Sequence, residues 1–120
     1  MHKDDTWHLT YIYIYIHICS EFYFTPDNLV RDTYLRQHMD VDGYVPLAFV
    51  GSFQAVFAIH QDYASLLSAM KKSLIVELDE KNEKIRPRLD WQKWLWPNAE
   101  GSYGVPRYIK MAEEPLNKIN

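Results

Sequence analysis

A helix pattern followed directly by a hairpin pattern, in residues 62–88, constrains the fold most strongly. Asp62 is a residue that can cap a helix, and apolar side chains follow it at the helical spacing i, i+3, i+4 and i+7: Tyr63, Leu66, Leu67 and Met70. Residues 74–78 then read as a strand, residues 79–83 as a charged turn, and residues 84–88 as the returning strand. This part of the chain therefore predicts a helix joined to a β-hairpin.

The segment before this unit predicts another helix. Thr25 is suited to the N-cap and Pro26 to the first helical position, so the pattern predicts one helix from Pro26 to about Met39. Within it, Val30 and Tyr34 share one face, and Leu35 and Met39 share the neighbouring face. Residues 40–43, Asp-Val-Asp-Gly, are typical of a turn that ends it.

A third helix is predicted between these two. Residues 44–45 read as a short extended piece before Pro46, and residues 46–53 as a helix with three inward side chains: Leu47, Val50 and Phe53. Residues 54–60 read as a connector with three apolar anchors: Val56, Phe57 and Ile59. The order of helix, small strand, two helices and hairpin is that of a winged helix-turn-helix. We expect an α+β fold, mostly helical, with a small antiparallel β wing.

The two ends of the chain differ in composition from this unit. Residues 11–18 form a near-perfect Tyr-Ile dipeptide repeat, so residues 1–20 are treated as a low-complexity segment. The repeat is either a strand or helix packed on the domain, or the translation of dinucleotide-repeat DNA. After Pro97 the composition shifts to Gly, Pro, Asn and Lys. We therefore assign residues 21–97 to the domain and residues 98–120 to a tail.

Composition excludes several classes of function. The chain has 120 residues and a formal net charge of −3, which excludes the broad basic surface of a protein that coats or slides along DNA. If the chain binds RNA, it must do so through a local basic or aromatic pocket, because the net charge provides no overall attraction for phosphates. The five histidines lack metal-ligand spacing, the glycines form no phosphate loop, and Cys19 lies in no nucleophile motif. We expect no enzyme, no cofactor and no metal.

The single cysteine also bears on location. With only Cys19 present, no intramolecular disulfide can form, which fits a reducing compartment. The apolar run at residues 11–19 is too short to cross a bilayer and lacks a signal-peptide pattern. We expect a cytoplasmic protein without membrane association that acts as a monomer.

Residues 21–29, Glu-Phe-Tyr-Phe-Thr-Pro-Asp-Asn-Leu, resemble the La motif. The family pattern is an acidic residue, aromatics, Ser or Thr with Pro, and then Asp or Glu with Asn-Leu. The resemblance continues through residues 31–36 and 39–47 to Phe53, and more loosely through residues 76–79, Trp91 and residues 93–94. The Thr-Pro-Asp-Asn run, the His-Met-Asp run and the Trp-containing stretch are most similar to the type-1 branch of La-related proteins.

The resemblance implies a winged-helix domain that holds the last nucleotides of an RNA. In the type-1 branch the La motif is associated with poly(A) 3′ ends and with the stability and translation of mRNA. The implied partners are single-stranded RNA and other mRNA-binding proteins.

The resemblance also assigns pocket roles to five side chains. Tyr23 matches an aromatic that stacks on a base, and Phe22 stands beside it where many members have Tyr. Asp32 matches the carboxylate that grips the terminal ribose. Tyr34 matches an aromatic close to that carboxylate, and Phe53 matches one that lines the same pocket from the next helix.

One position departs from the family pattern, because Cys19 stands where Gln is common and cannot make the contacts of an amide. Arg31 is a further candidate for RNA, as a phosphate contact. Four cations make the predicted wing locally basic: Lys81, Lys84, Arg86 and Arg88. Each candidate also has an ordinary interpretation. Aromatics usually pack in a core, Asp32 could pair with Arg36 one turn later, and a basic hairpin is often only a soluble edge.

Three hypotheses follow. The first is capture of an RNA 3′ end. The second is a protein-interaction winged helix whose pocket no longer binds RNA and whose Trp-rich stretch recruits a partner. The third is a winged helix that binds duplex DNA. It ranks last because the helix after Asp62 carries only two cations, Lys71 and Lys72, both at its far end.

Overall fold

The computed structural model describes residues 17–53, 56 and 62–111. Residues 17–22 are helical. The elements that follow are α1 (Pro26–Leu29), α2 (Thr33–Gln37), β1 (Val45–Pro46), α3 (Leu47–Gly51), α4 (Tyr63–Lys71), β2 (Val76–Asp79), β3 (Lys84–Pro87) and a 3₁₀ helix (Trp91–Trp94). This order confirms the predicted α+β architecture, with a hairpin as the wing.

Some predictions fall outside the described residues. They include the nature of residues 1–16, which hold most of the dipeptide repeat, and the connector anchors Phe57 and Ile59. The third anchor, Val56, is described and is buried. In the part of the chain that the structure describes, no helix is long and apolar enough to cross a membrane.

The prediction of a single helix from Pro26 to Met39 is wrong, because the chain forms two short helices there. Helix α1 has Thr25 at its N-cap and Pro26 in its first turn, as predicted, but it ends at Leu29. Asp32 then acts as the N-cap of α2, and its side chain accepts a hydrogen bond from the backbone N–H of Leu35. An aspartate favours this capping bond over a place inside a helix, so the chain restarts at Asp32.

The break changes which side chains are buried. Leu35 and Met39 are fully buried, but Val30 is 63% exposed and Tyr34 is 60% exposed. The predicted apolar face of Val30 and Tyr34 is therefore a surface. The pairing of Asp32 with Arg36 is also absent, because the Arg36 guanidinium donates instead to the carbonyls of Trp94 and Leu29.

The three strands form an antiparallel sheet in the order β1–β3–β2. Val45 lies opposite Ile85, and Leu78 lies opposite Ile85 on the other side, so β3 is the central strand. Pro46, which has no N–H to donate, lies in the edge strand β1. Helix α4 is capped by Asp62 as predicted, and it places Leu66 and Met70 against the core.

The wing cations take part in the fold. Arg86 donates to the Glu77 carboxylate and to the Asp42 carbonyl, and its guanidinium lies 4.6 Å from the ring centroids of both Tyr44 and Trp91. Arg88 donates to two backbone carbonyls, those of Ser73 and Val76. Lys84 is buried, as described next. Of the four predicted wing cations, three are thus engaged in internal contacts.

A buried ion pair joins the wing to the rest of the domain. The Lys84 ammonium lies 3.2 Å from an Asp40 carboxylate oxygen, and the two side chains are 3% and 0% exposed. The other Asp40 oxygen accepts from the backbone N–H groups of Asp42 and Tyr44. Tyr108 adds two bonds, because its N–H donates to Asp40 and its carbonyl accepts from Lys84.

Three tryptophans after the wing, Trp91, Trp94 and Trp96, pack this part of the chain onto the domain. Trp94 is buried in the core, and the Arg36 guanidinium lies over its ring and that of Trp96, at 5.4 and 5.0 Å from the ring centroids. Trp91 packs on Gly43, where a side chain would meet the Trp91 ring at 2.6 Å. Beyond them, Val105 bridges to Asp40, so residues 97–111 contact the domain over much of their length.

Lys84→Met is expected to lower the free energy of unfolding by about 3–5 kcal/mol, because it leaves a buried carboxylate without its counter-charge. Lys71→Ala is the control. Lys71 also pairs with a carboxylate, Glu80, but both side chains are more than half exposed, so the loss there should stay below about 1 kcal/mol. Urea unfolding of the two variants measures both values, and equal losses would contradict the importance of the Asp40–Lys84 pair.

Gly43→Ala is expected to destabilise the domain by more than Gly101→Ala. Both glycines have positive φ, +88° and +81°, so both substitutions incur the backbone strain of about 1–2 kcal/mol. Only at Gly43 does the new methyl also collide with Trp91, whereas the space around Gly101 is open. The difference between the two midpoints of urea unfolding isolates the collision, which should add roughly 1–3 kcal/mol.

Candidate functional site

A row of aromatic side chains lies between the start of α1 and helix α3. The rings of Tyr23 and Phe53 meet edge to face at 4.7 Å, and Phe53 meets Phe49 in the same way at 4.9 Å. Phe22 extends the row beside Tyr23, at 6.2 Å and 43% exposed. Tyr23, Phe49 and Phe53 are half-buried and pack against the core. Their inner sides hold them in place, while their outer sides remain accessible.

The row continues on the surface of α2. The His38 ring stacks on Phe49 at 4.4 Å and 21°, and the Tyr34 ring lies 4.6 Å from His38 and 5.7 Å from Phe49. Tyr34 is the outermost of these rings, since 60% of it is exposed. The helix break at Asp32 explains this placement, because α2 presents Tyr34 outward while Leu35 fills the core.

The Asp32 carboxylate lies beside this row in a fixed orientation. One oxygen accepts from the Leu35 N–H at 3.0 Å, and the other accepts from the Asn28 side-chain amide at 2.8 Å. The same Asn28 nitrogen donates to the Tyr23 carbonyl, also at 2.8 Å. Asn28 is only 7% exposed. This amide therefore ties the aromatic segment to the carboxylate and fixes the distance between them.

The Tyr23 phenol and the nearby Cys19 thiol both have raised pKa values. Burial raises the pKa of Tyr23, and repulsion from the ionised forms of Cys19 and Asp32 raises that pKa further. Burial also raises the pKa of the Cys19 thiol, so it is not a thiolate nucleophile at neutral pH. A neutral phenol and a neutral thiol beside one carboxylate can offer a ligand stacking and hydrogen bonds. No group of metal-ligating side chains occurs within the described residues.

The structure brings most of the predicted site residues together. Tyr23, Phe53 and Asp32 are joined through Asn28 and the ring contacts, and Phe22 flanks Tyr23. Tyr34 reaches the same row from the far side, through Phe49. Arg31 is exposed and directly precedes Asp32 in the turn between α1 and α2.

Three residues of the site were missed by the sequence predictions: Asn28, His38 and Phe49. Each lies four residues from one that was predicted, namely Asp32, Tyr34 and Phe53 respectively. The i, i+4 spacing was therefore the available signal. It went unused because Asn28 and His38 are ordinary surface residues by composition and Phe49 reads as core.

Comparison with known proteins identifies the domain. A family model described as the La domain matches residues 20–72. Residues 20–72 are a La domain. The N-terminal domain of the La autoantigen, a solved structure, superposes with a TM-score of 0.57 at 28% identity, covering 61% of this chain and 82% of that one. The match of the family model and the structural match confirm both the predicted La resemblance and the winged-helix fold.

Two curated relatives extend the comparison. An HTH La-type RNA-binding protein of Schizosaccharomyces pombe, described as uncharacterized, is 37% identical over 83 residues, which is 65% of this chain and 18% of that protein. La-related protein 1B of Arabidopsis thaliana is 34% identical over 84 residues, 70% of this chain and 18% of that protein. The chain thus matches about a fifth of the length of these relatives. The family consists of RNA-binding proteins rather than enzymes, which confirms that expectation.

Asn28→Ala is expected to reduce the free energy of unfolding by about 1–3 kcal/mol, because it removes the donor shared by the Tyr23 carbonyl and the Asp32 carboxylate in a buried position. Asp27→Ala is the control. Asp27 lies one residue earlier in the same helix and is exposed, so its loss should cost only about 0.5 kcal/mol. Urea unfolding tests both values. A similar small effect at the two positions would show that Asn28 does not hold the site together.

Proposed function

We propose that this La domain binds single-stranded RNA and captures a free 3′ end. In this proposal the Asp32 carboxylate accepts hydrogen bonds from the 2′- and 3′-hydroxyls of the last ribose, and the Tyr23 and Phe53 rings contact its base. The observation that carries the proposal is the Asp32 carboxylate, fixed by Asn28 and by the Leu35 N–H, next to a row of half-exposed aromatic rings.

The hydrogen bonds of Asp32 leave room for a ribose. A carboxylate has about four lone-pair positions. The protein occupies one on each oxygen, through the Leu35 N–H and the Asn28 amide. Two positions remain, which equals the number of hydroxyl donors on a terminal ribose. An internal nucleotide has no free 3′-hydroxyl, and DNA has no 2′-hydroxyl, so this geometry supports selection of an RNA end.

The charge of the domain suits this mode of binding. The formal net charge is −3, and Arg86 and Arg88 of the wing are held by internal partners. Affinity through many phosphate contacts is therefore disfavoured. Stacking of bases on aromatic rings contributes about 1–3 kcal/mol per base and needs no positive field. Arg31, exposed beside Asp32, is the cation best placed to meet a phosphate.

The family resemblance supports a narrower proposal about the target. We propose that the 3′ end is poly(A)-like and that the protein acts on the stability or translation of mRNA in the cytoplasm, together with other mRNA-binding proteins. The presence of La-related protein 1B among the relatives is in keeping with this.

Asp32→Asn is expected to abolish the preference for a free 3′ end. The variant keeps an oxygen for the Leu35 N–H, but an amide group replaces the oxygen that accepts from Asn28, and this group cannot accept from ribose. Fluorescence anisotropy with short oligo(A), once with a free 3′ end and once with a 3′-phosphate, measures the preference. The wild type should bind the free end at least about tenfold more tightly, as expected from the loss of one or more hydrogen bonds to a charged group.

Asp62→Asn is the matched control. Asp62 is also a helix N-cap whose carboxylate accepts from a backbone N–H, that of Ala64, but it belongs to α4. It should leave the preference unchanged. Binding of both RNAs with equal affinity by the wild type would retain RNA binding but refute capture of the end.

The alternative, a protein-interaction domain, draws support from another surface. A cleft of about 230 Å³ lies between the start of α1, the base of the wing and the 3₁₀ helix, and its lining includes Pro26, Pro87 and Trp94. Leu74 and Leu89, also in its lining, are 84% and 79% exposed. Absence of binding to either oligo(A) at moderate salt would refute the RNA proposal and favour this second function.

A further inference from the structure

His38 has a defined orientation at the far end of the aromatic row. Its ring stacks on Phe49, and its Nδ1 atom lies 2.7 Å from the Tyr34 carbonyl oxygen. Its own carbonyl accepts from the Tyr108 hydroxyl at 2.6 Å. The ring is thus held by a stacking partner and a hydrogen bond, and its backbone by a third contact. A side chain fixed in this way can present a hydrogen-bonding atom at a definite position.

The Tyr34 contact determines the tautomer of His38. A carbonyl oxygen can only accept, so Nδ1 must carry the hydrogen. In the neutral ring Nε2 is then an acceptor with a free lone pair. Nε2 makes no hydrogen bond to the described residues, and it is not among their buried unsatisfied atoms, so it faces solvent. The outermost ring of the site, Tyr34, lies directly beside it at 4.6 Å.

The position of His38 relative to Asp32 indicates which nucleotide it would meet. Asp32 is the N-cap and His38 the C-cap of α2. The two residues are six steps apart along the helix, which corresponds to a rise of roughly 9 Å. A base that stacks on Tyr34 beside His38 therefore belongs to a nucleotide upstream of the one whose ribose Asp32 would hold.

Bases differ in what they offer to an acceptor. Adenine and cytosine carry an exocyclic amino group, which donates, whereas uracil and guanine carry a carbonyl oxygen at the corresponding position. A fixed lone pair on Nε2 accepts from an amino group and repels a carbonyl oxygen. The site would then discriminate at this position by a hydrogen bond and not by stacking, which every base can provide.

From this geometry we infer that His38 is a specificity-determining residue, whose Nε2 accepts a hydrogen bond from the exocyclic amino group of an adenine or cytosine stacked on Tyr34. This inference rests on the proposed RNA binding and adds to it a base preference at an upstream position. Tyr34 and Phe49 supply the stacking and the support, and the Tyr34 carbonyl fixes the tautomer that makes Nε2 an acceptor.

The test uses the full chain and short oligo(A) with a free 3′ end, in mildly alkaline buffer that keeps imidazole rings neutral. Each of the last few adenosines is replaced in turn by purine riboside, which lacks only the amino group. For the wild type, one upstream replacement should weaken binding by roughly three- to tenfold, as expected for one hydrogen bond. In His38→Phe, which preserves a ring against Phe49, the same replacement should have no effect.

His38→Gln serves as the second variant, since its side-chain oxygen can still accept and should restore part of the amino preference. Circular dichroism checks that both variants are folded. If the replacement weakens wild type and His38→Phe equally, the amino group is recognised elsewhere and the inference fails. If the wild type captures free 3′ ends of oligo(A) and oligo(U) with equal affinity, the inference and the proposed poly(A) preference fail, while the proposed capture of an RNA 3′ end stands. If it binds neither RNA, both fail.

Discussion

The buried ion pair between Asp40 and Lys84 is the contact on which the other parts of the domain depend. Asp40 lies in the turn after α2, Lys84 begins the central strand β3, and Tyr108 closes the pair from the C-terminal side. Each charge is taken out of water, so each needs its partner and its hydrogen bonds. Asp40 also accepts from the backbone N–H groups of Asp42, Tyr44 and Tyr108, so the pair fixes the register of the segments around it. It fixes where the wing and residues 105–111 lie against α2.

The placement of α2 also determines the geometry of the candidate site, because Asp32 and His38 lie at the two ends of this helix. The helix has only five residues, too few to be stable by itself. It is held instead from outside, by the contacts of Arg36 with the Trp94 and Trp96 rings and by the hydrogen bond of Tyr108 to the His38 carbonyl. A rigid short helix with Asp32 at one end and His38 at the other keeps the proposed ribose acceptor and the proposed base acceptor at a constant separation.

The sequence was most informative where one local rule decided the outcome. Helix α4 follows from its periodicity and from the Asp62 cap, and the wing follows from its strand and turn pattern. The break before α2 was not predicted, because a periodic apolar pattern ran across it and the capping bond from Leu35 to Asp32 competes at a single residue. The wing cations were counted as surface charge, because their partners, Asp40, Glu77 and several carbonyls, come from other elements. A count of charges in the sequence does not show which of them pair with residues of other elements.

For the site residues too, the sequence indicated the residues but not the contacts that arrange them. A family resemblance placed Tyr23, Asp32 and Phe53, but it gave no reason for their arrangement. The structure supplies the reason in Asn28, whose single amide nitrogen serves both the Tyr23 carbonyl and Asp32. Because Lys84, Arg86 and Arg88 are held by internal partners, three of the four wing cations are not free to bind phosphates. Under the proposed function, the domain gains its affinity for RNA from aromatic rings and from hydrogen-bond acceptors in fixed positions. Acceptors of fixed orientation would then distinguish a free 3′ end, a ribose and a particular base.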